Sequence, residues 1–277
     1  MFRYIILAII LLLAVGICFG VGGFAGLAWL WILPVSFLGS FLAVAAVIFL
    51  TLWISCAFVD TNKTQEKDSK YFRWLVYRGV DVATWILRMR IHTRGLEQTP
   101  ANGRFLLVCN HINDLDPVTL LACFRKSQLA FISKRENTTM FLVGKLMHKL
   151  SCQLINREND REALKTIITC IRMIQEDRVS VAVFPEGYVS MDSKLRPFRS
   201  GVFKIAQKAK VPIVVCTVQN THKVFQNAMR LKPTDVHLHL LGVLQPEQLQ
   251  GMTTVEIGNL AHTMMAEDLG PDLVFQD

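Results

Sequence analysis

A histidine and an aspartate stand close together in the segment from Asn110 to Pro117, between a predicted strand and a predicted helix. Asp116 and Pro117 are typical of a helix start, because aspartate caps free amides and proline fits the first turn. A carboxylate that folds back onto an imidazole fixes its tautomer and stabilises its protonated form. His111 and Asp116 are therefore a candidate general-base pair, acting on a hydroxyl that the substrate supplies. The alternative is that Asp116 only caps the helix and His111 is an ordinary loop residue.

A second motif, Phe184-Pro185-Glu186-Gly187, ends a predicted strand. Glycine allows the backbone to approach a ligand closely. The Glu186 carboxylate can accept hydrogen bonds from the hydroxyl groups of a sugar alcohol. We interpret Glu186 and Gly187 as substrate-binding residues, and the alternative is a strand-to-loop turn with an exposed glutamate.

Cationic side chains stand at several predicted strand ends and in one loop. Arg157 and Lys134 each follow a strand, and Arg199 lies in the loop before a later helix. Arginine binds phosphate through two parallel hydrogen bonds, whereas lysine acts as a point charge. The three residues are candidates to bind a phosphate group. Each of them, taken singly, could instead be a solvated surface charge.

The elements that must position these residues alternate between short apolar runs and helical patterns from about residue 91 onward. Such alternation predicts an α/β domain with a largely parallel sheet flanked by helices, with functional residues at strand ends and in the loops that follow. Strands are predicted at 104–110, 128–133, 152–156, 180–187, 211–218 and 237–244, and helices at 117–124, 141–150, 160–176 and 201–209.

The first 59 residues are a predicted transmembrane hairpin. No Asp, Glu, Lys, Arg or His occurs from Tyr4 to Val59, a run about right for two spans. We predict spans near 4–25 and 35–57, joined by a turn near 26–34. Basic residues on both sides place both ends, and hence the catalytic domain, on the cytoplasmic face of the membrane. A re-entrant or interfacial segment is the alternative, and a signal peptide would have a much shorter apolar core.

Residues 60–90 contain a predicted amphipathic helix with a narrow polar stripe and several tyrosine and tryptophan rings. It either lies on the membrane surface or is a core helix of the following domain. The net charge of +8 falls almost wholly after Val59. This charge favours an anionic partner, such as lipid headgroups or a phosphorylated substrate. The basic residues are scattered, so we expect no nucleic-acid partner.

Taken together and in order, the motifs resemble those of the glycerolipid acyltransferase family, in particular its 1-acyl-sn-glycerol-3-phosphate acyltransferase group. The resemblance covers residues 90–245. The matching features are Asn110 and His111 with Asp116 five residues on, Arg157 after a strand, the Phe184–Gly187 motif, a Pro-Phe-Arg-Ser-Gly stretch at 197–201 and the strand at 211–215.

The resemblance implies that residues 91–277 are an acyltransferase domain. His111, oriented by Asp116, would remove the proton from a glycerol hydroxyl, which would then attack the thioester of acyl-CoA or acyl-carrier protein. The expected acceptor is lysophosphatidic acid and the product phosphatidic acid, within phospholipid synthesis. No metal and no cofactor are expected besides this acyl co-substrate.

The resemblance further implies that Glu186 and Gly187 hold the glycerol phosphate acceptor, with Arg157, Lys134 and Arg199 at its phosphate. The family usually has threonine or serine after its FPEG motif, often followed by arginine, where this chain has Tyr188 and Val189. This chain also has Asn156 where the family usually has aspartate. These departures leave open another lysophospholipid or lipid alcohol as acceptor. A non-catalytic lipid-binding protein of the same fold is the alternative from a different functional class.

Overall fold

The computed structural model describes residues 2–61, 68–156 and 159–275. The chain divides into two compact units, Met1–Lys63 and Thr64–Asp277. The first unit consists of two apolar helices that pack against each other, α1 (Phe2–Gly20) and α2 (Trp29–Ala57). Within the described part of the chain, α2 is the one helix long and apolar enough to cross a bilayer, and α1 is shorter. This agrees with membrane association, while the two-span hairpin and its orientation stay predictions.

The predicted turn at 26–34 is wrong in its position. The chain reverses within residues 21–28, and Pro34 lies inside α2. Pro34 is the sixth residue of α2, so it removes one intrahelical hydrogen bond and the helix continues past it. Trp29 and Trp31 are therefore helical residues and not part of the connecting turn.

The second unit is built on a seven-stranded sheet, in agreement with the predicted α/β class. In their spatial order, the strands are β1 (Met89–Arg94), β7 (Thr234–Leu244), β6 (Ile213–Gln219), β2 (Leu106–Cys109), β5 (Ser180–Val183), β3 (Leu129–Lys134) and β4 (Gln153–Ile155). The last five of these strands run parallel, while β7 is antiparallel to β6 and pairs with β1 on its other side. The edge strand β1 was not predicted.

Helices cover both faces of this sheet, as expected for parallel strands that are apolar on both sides. Alternate residues of β2 enter opposite cores: Leu107 packs in the core that contains Leu120, and Leu106 packs in the core that contains Ile167. The helices of this unit are α3 (Lys70–Ile86), α4 (Asp116–Cys123), α5 (Phe141–Lys149), α6 (Asp160–Gln175), α7 (Lys204–Ala209), α8 (Val224–Met229) and α9 (Thr254–Leu269).

The helix predicted within 60–90 is α3, and it belongs to the second compact unit. Its buried Arg73 pairs with Asp68 at 2.6 Å and donates to the Leu129 carbonyl. Tyr77 donates to the Arg125 carbonyl at the end of α4. One face of α3 is thus part of the domain core, while Trp74 on the opposite face is exposed. This packing agrees with the core-helix alternative, while a position on the membrane surface stays a prediction.

Candidate active site

The predicted site lies where β2, β5 and β6 end. These strands are neighbours and run parallel, so their carboxyl ends meet at one edge of the sheet. Asn110, the first residue after β2, is buried and joins this edge to β6. Its amide donates to the Val218 carbonyl at 3.0 Å and its oxygen accepts from the Val218 amide at 2.7 Å. This side chain therefore extends the β2–β6 pairing by one residue and fixes the start of the His111 loop.

The His111–Asp116 pair forms as predicted from the spacing. His111 Nδ1 lies 2.9 Å from Asp116 Oδ2, and the same oxygen accepts from the amides of Ile112 and Asn113 at 2.7 and 2.8 Å. Asp116 is fully buried and is the first residue of α4. Its carboxylate bonds to amides that precede the helix and to the imidazole. The structure thus contradicts the alternative that Asp116 only caps the helix.

Thr221 completes the set of groups around this carboxylate, and sequence reasoning did not identify it. Its hydroxyl donates to Asp116 Oδ1 at 2.5 Å, and the residue is fully buried. Thr221 follows β6 and lies far from Asp116 along the chain, so no local pattern connects the two. With both oxygens bonded, the carboxylate is held in one rotamer that presents Oδ2 to the imidazole.

The His111 ring is fixed from a second direction by an aromatic stack. It lies parallel to the Phe184 ring at a centroid distance of 4.1 Å, and Phe131 stacks beyond Phe184 at 6.2 Å. The side chain of His111 is 16% exposed. Among the described residues, none bonds to its Nε2 nitrogen. The imidazole is therefore oriented through Nδ1 and its ring face, which leaves Nε2 for a ligand.

Glu186 has a different environment from the one its motif predicted. Its side chain is buried, and both of its oxygens accept backbone amides, Oε1 from His111 at 2.8 Å and Oε2 from Arg196 at 3.0 Å. Burial raises the pKa of the Glu186 carboxyl to about 7, against the lowering effect of these two amides. The alternative of an exposed glutamate in a strand-to-loop turn is thus wrong, while substrate binding by Glu186 stays a prediction. Glu186 ties the loop after β5 to the loop after β2.

Gly187 is required by the backbone of the same turn. It is buried and has a φ of +86°, in the left-handed region that residues with a Cβ rarely adopt. Its amide donates to the Phe184 carbonyl at 3.1 Å. Ser190 then donates its amide to the His111 carbonyl at 2.7 Å. The FPEG motif therefore shapes a turn that packs against the catalytic loop, and the exposed ring of Tyr188 lies within this turn.

The three predicted cationic residues are not brought together by any described contact. Lys134 is exposed at the end of β3, and Arg199 is exposed with its amide bonded to the Pro185 carbonyl at 2.8 Å. Arg157 lies outside the described residues. Its neighbour Asn156 follows β4, which is separated from β2 by β5 and β3. Their role at a phosphate stays a prediction.

Known proteins resemble this chain in sequence. Residues 90–219 match the family model described as Acyltransferase. The chain is 26% identical over 186 residues to a 1-acyl-sn-glycerol-3-phosphate acyltransferase of Cocos nucifera, covering 67% of this chain and 59% of that protein. It is 30% identical over 165 residues to a probable 1-acyl-sn-glycerol-3-phosphate acyltransferase of Mycoplasma pneumoniae, covering 58% and 61%. The chain thus spans about six tenths of the length of these curated relatives.

A solved structure shares the fold. The crystal structure of the 1-acyl-sn-glycerophosphate acyltransferase PlsC from Thermotoga maritima superposes with a TM-score of 0.62 at 19% identity, covering 86% of this chain and 94% of that one. The chain therefore has the fold of that protein, an α/β domain with a largely parallel sheet. Residues 90–219 match the acyltransferase family model, and the resemblance of the chain to 1-acyl-sn-glycerol-3-phosphate acyltransferases is confirmed.

Replacing Thr221 with valine is expected to lower kcat about tenfold to hundredfold, because a hydrogen bond to a buried carboxylate is lost at nearly constant volume. Serine at this position should restore most of the rate. Initial rates of acyl transfer in membranes, normalised to the amount of protein, measure both effects. Thr119→Val is the matched control, since this buried hydroxyl bonds only the Leu115 carbonyl. A Thr221→Val rate equal to that of the control would contradict this positioning role.

The raised pKa of Glu186 predicts a particular pH dependence of stability. Because the folded pKa of about 7 lies above the ordinary value of 4.5, the folded state binds more protons between these values. The free energy of unfolding should therefore decrease by about 3 kcal/mol as pH rises from 4.5 through 7, from this group alone. Thermal unfolding of the purified chain in detergent, followed by circular dichroism between pH 5 and 8, tests this. Glu186→Gln should remove that part of the slope, and an unchanged slope would rule the assignment out.

Proposed function

We propose that this chain transfers a fatty acyl group from acyl-CoA or acyl-carrier protein to the free hydroxyl of lysophosphatidic acid, which yields phosphatidic acid. The observation that carries the proposal is the His111–Asp116 pair, with Nδ1 held by a fully buried carboxylate and Nε2 without a described partner. The acceptor supplies the nucleophile, so no serine or cysteine is needed beside the imidazole.

The reaction would proceed with one proton shuttled by His111. Nε2 takes the proton of the acceptor hydroxyl while the hydroxyl oxygen attacks the thioester carbonyl carbon, and Asp116 stabilises the imidazolium that forms. Collapse of the tetrahedral intermediate breaks the carbon–sulfur bond. The imidazolium then returns its proton to the departing thiolate. The base is regenerated without an acyl-enzyme, and the new ester and the free thiol are the products.

The choice of acceptor rests on the names of the relatives and on the phosphate-binding potential of Arg157, Lys134 and Arg199. The Cocos nucifera and Mycoplasma pneumoniae proteins are both named for 1-acyl-sn-glycerol-3-phosphate. Glu186 supports the site differently, as a positioning residue, because both of its oxygens already bond to backbone amides. Gly187 would keep the adjoining turn close to the acceptor. We further propose that the domain acts on the cytoplasmic face of the membrane.

An acceptor panel tests the proposed function. Membranes that contain the full chain are offered lysophosphatidic acid and other lysophospholipids, each with acyl-CoA and with acyl-carrier protein, and the products are quantified by mass spectrometry. We expect phosphatidic acid to form well above the level of membranes from cells with an empty vector. If only a different lysolipid is acylated, the proposal that lysophosphatidic acid is the acceptor is wrong. Binding of lysolipid without turnover by either donor would instead favour the non-catalytic alternative.

A further inference from the structure

The segment 220–233, between β6 and β7, exposes apolar side chains at the edge of the sheet where His111 lies. It contains α8, on which Phe225 and Met229 are four residues apart and therefore share one face. Phe225 is 50% exposed and Met229 81% exposed. Leu231 follows with 74% exposure and a φ of +55°, a conformation uncommon for a residue with a bulky side chain.

This segment is fixed in place at several points, so its exposed side chains are held outward by ordered backbone. Val224 is fully buried in the core below α8. The Lys232 amide donates to the Asn227 carbonyl at 2.8 Å, and the Asn227 side chain donates to Thr234 Oγ1 at 3.0 Å. Thr221, at the start of the segment, bonds to Asp116. The segment therefore begins at the Asp116 carboxylate and is tied to the first residue of β7 near its other end.

The charge of the segment is of one sign. Residues 220–233 include Lys223, Arg230 and Lys232 and no aspartate or glutamate. The Arg88 guanidinium adds a further positive charge, as it donates to the Leu231 carbonyl. Exposed apolar side chains surrounded by basic groups are typical of surfaces that bind anionic lipid, where the rings and aliphatic chains enter the interface and the cations contact headgroups.

Two other segments expose large apolar side chains at the same edge. Ser190 donates to the His111 carbonyl, and the next residue, Met191, is almost fully exposed. The carboxyl end of α3 carries the exposed Trp85, shortly before β1 begins alongside the first residues of β7. Since β7 begins where β6 ends, α3 also ends at the edge that holds the site. Exposed patches of this kind mark interaction surfaces in soluble domains.

We propose that Trp85, Met191, Phe225, Met229 and Leu231, with the basic residues of 220–233, form a docking rim that binds an anionic bilayer surface. The docking rim would hold the open side of the His111 site against the membrane, so that a lysolipid acceptor passes from the bilayer to Nε2 without crossing bulk water. The proposal rests on the proposed function and adds the surface that delivers its substrate. A second copy of this chain is a poorer occupant, because two such rims would bring like charges together.

Lipid contact can be measured without any catalytic activity. In the full chain, Met229→Cys is labelled with an environment-sensitive fluorophore, and the protein is reconstituted into vesicles containing anionic lipid and lipids with a quenching doxyl group. The seven native cysteines are free, but five are buried and two are half-buried, and the unsubstituted chain serves as the labelling blank. Val255→Cys is the matched control, since Val255 is also exposed but follows the end of β7, at the opposite edge of the sheet.

We expect blue-shifted emission and strong quenching at position 229, weaker quenching when the anionic lipid is replaced by phosphatidylcholine, and little quenching at position 255. Equal quenching at the two positions would overturn the proposal. A shift at position 229 that depends on protein concentration and not on lipid would also overturn it, in favour of a second copy. These outcomes are read even if no acyl transfer occurs, so they are independent of the proposed function.

A kinetic arm tests the role in substrate delivery. The variant with Phe225→Ser, Met229→Ser and Leu231→Ser should raise KM for acceptor in vesicles about tenfold, with kcat little changed, because only interfacial contact is lost. In detergent micelles that disperse both enzyme and acceptor, the KM of this variant should match that of the unsubstituted chain. Val255→Ser should leave both assays unaltered. An unchanged KM in vesicles, or an equal rise in micelles, would contradict docking of this rim to the bilayer.

Discussion

Replacing His111 with alanine is expected to lower the rate of acyl transfer by about 10³-fold, the effect typical of removing a general base. Among the described contacts of the His111 ring, neither can replace it as a base, because Asp116 is fully buried and Phe184 has no ionisable group. The substitution leaves the hydrogen bonds of the loop in place, because they are made by the backbone of residue 111. We therefore expect normal accumulation of an inactive protein.

The measurement is phosphatidic acid formation in membranes, normalised by immunoblot. His92→Ala is a matched control, since His92 also bonds to an aspartate, Asp235, at 2.7 Å, but its side chain is 55% exposed on the edge strand β1. This control should keep the unsubstituted rate. A His111→Ala protein that works at a comparable rate would remove the catalytic assignment altogether.

Replacing Asp116 with asparagine is expected to reduce kcat by an amount approaching 10³-fold, with KM for the acceptor little changed. Asparagine keeps the size of the side chain but removes the negative charge that stabilises the imidazolium. Its amide nitrogen must also face either Thr221 or the amides of Ile112 and Asn113, all of which donate to the native carboxylate. The variant therefore loses both electrostatic stabilisation and the fixed tautomer of His111.

Because partial unfolding would also lower the apparent kcat at unchanged KM, kcat is normalised to the amount of folded protein, measured by circular dichroism. Asp235→Asn is the matched control, because Asp235 is an exposed partner of His92. We expect that control to retain its activity. Loss of activity in both variants would indicate that the assay reports fragility of the fold, and retained activity in Asp116→Asn would exclude a stabilising role for its charge.

The sequence predicted those features of the site that depend on neighbouring residues. The spacing of His111 and Asp116 was sufficient, because one short loop after β2 brings the two side chains within hydrogen-bond distance. The parallel strands β2 to β6 and the helices between them also follow from apolar runs that alternate with helical periodicity. The edge strand β1 was missed because its sequence, MRIHTR, is mostly polar and mostly exposed.

The features that the sequence did not predict depend on distant segments. Thr221 reaches Asp116 only because β6 lies beside β2, and Glu186 meets the His111 amide only because β5 lies on the other side. The backbone partners of Glu186 could not be predicted, because a motif shows residue types but not which donors will surround them, and its predicted substrate binding stays a prediction. Pro34 was expected to lie in the turn before the second span, but it lies inside α2, where a proline interrupts a single intrahelical hydrogen bond.

The origin of the site in three separate segments also has a consequence for biosynthesis. Asp116 cannot bond to the Thr221 hydroxyl, nor Asn110 to the backbone of Val218, until more than a hundred further residues have been synthesised. Contacts of such large sequence separation form slowly and late in folding. A nascent chain that stops within β6 would therefore contain His111 and Asp116 but lack the contacts that orient them. Catalytic competence should appear abruptly, when the strand that brings Thr221 inserts beside β2.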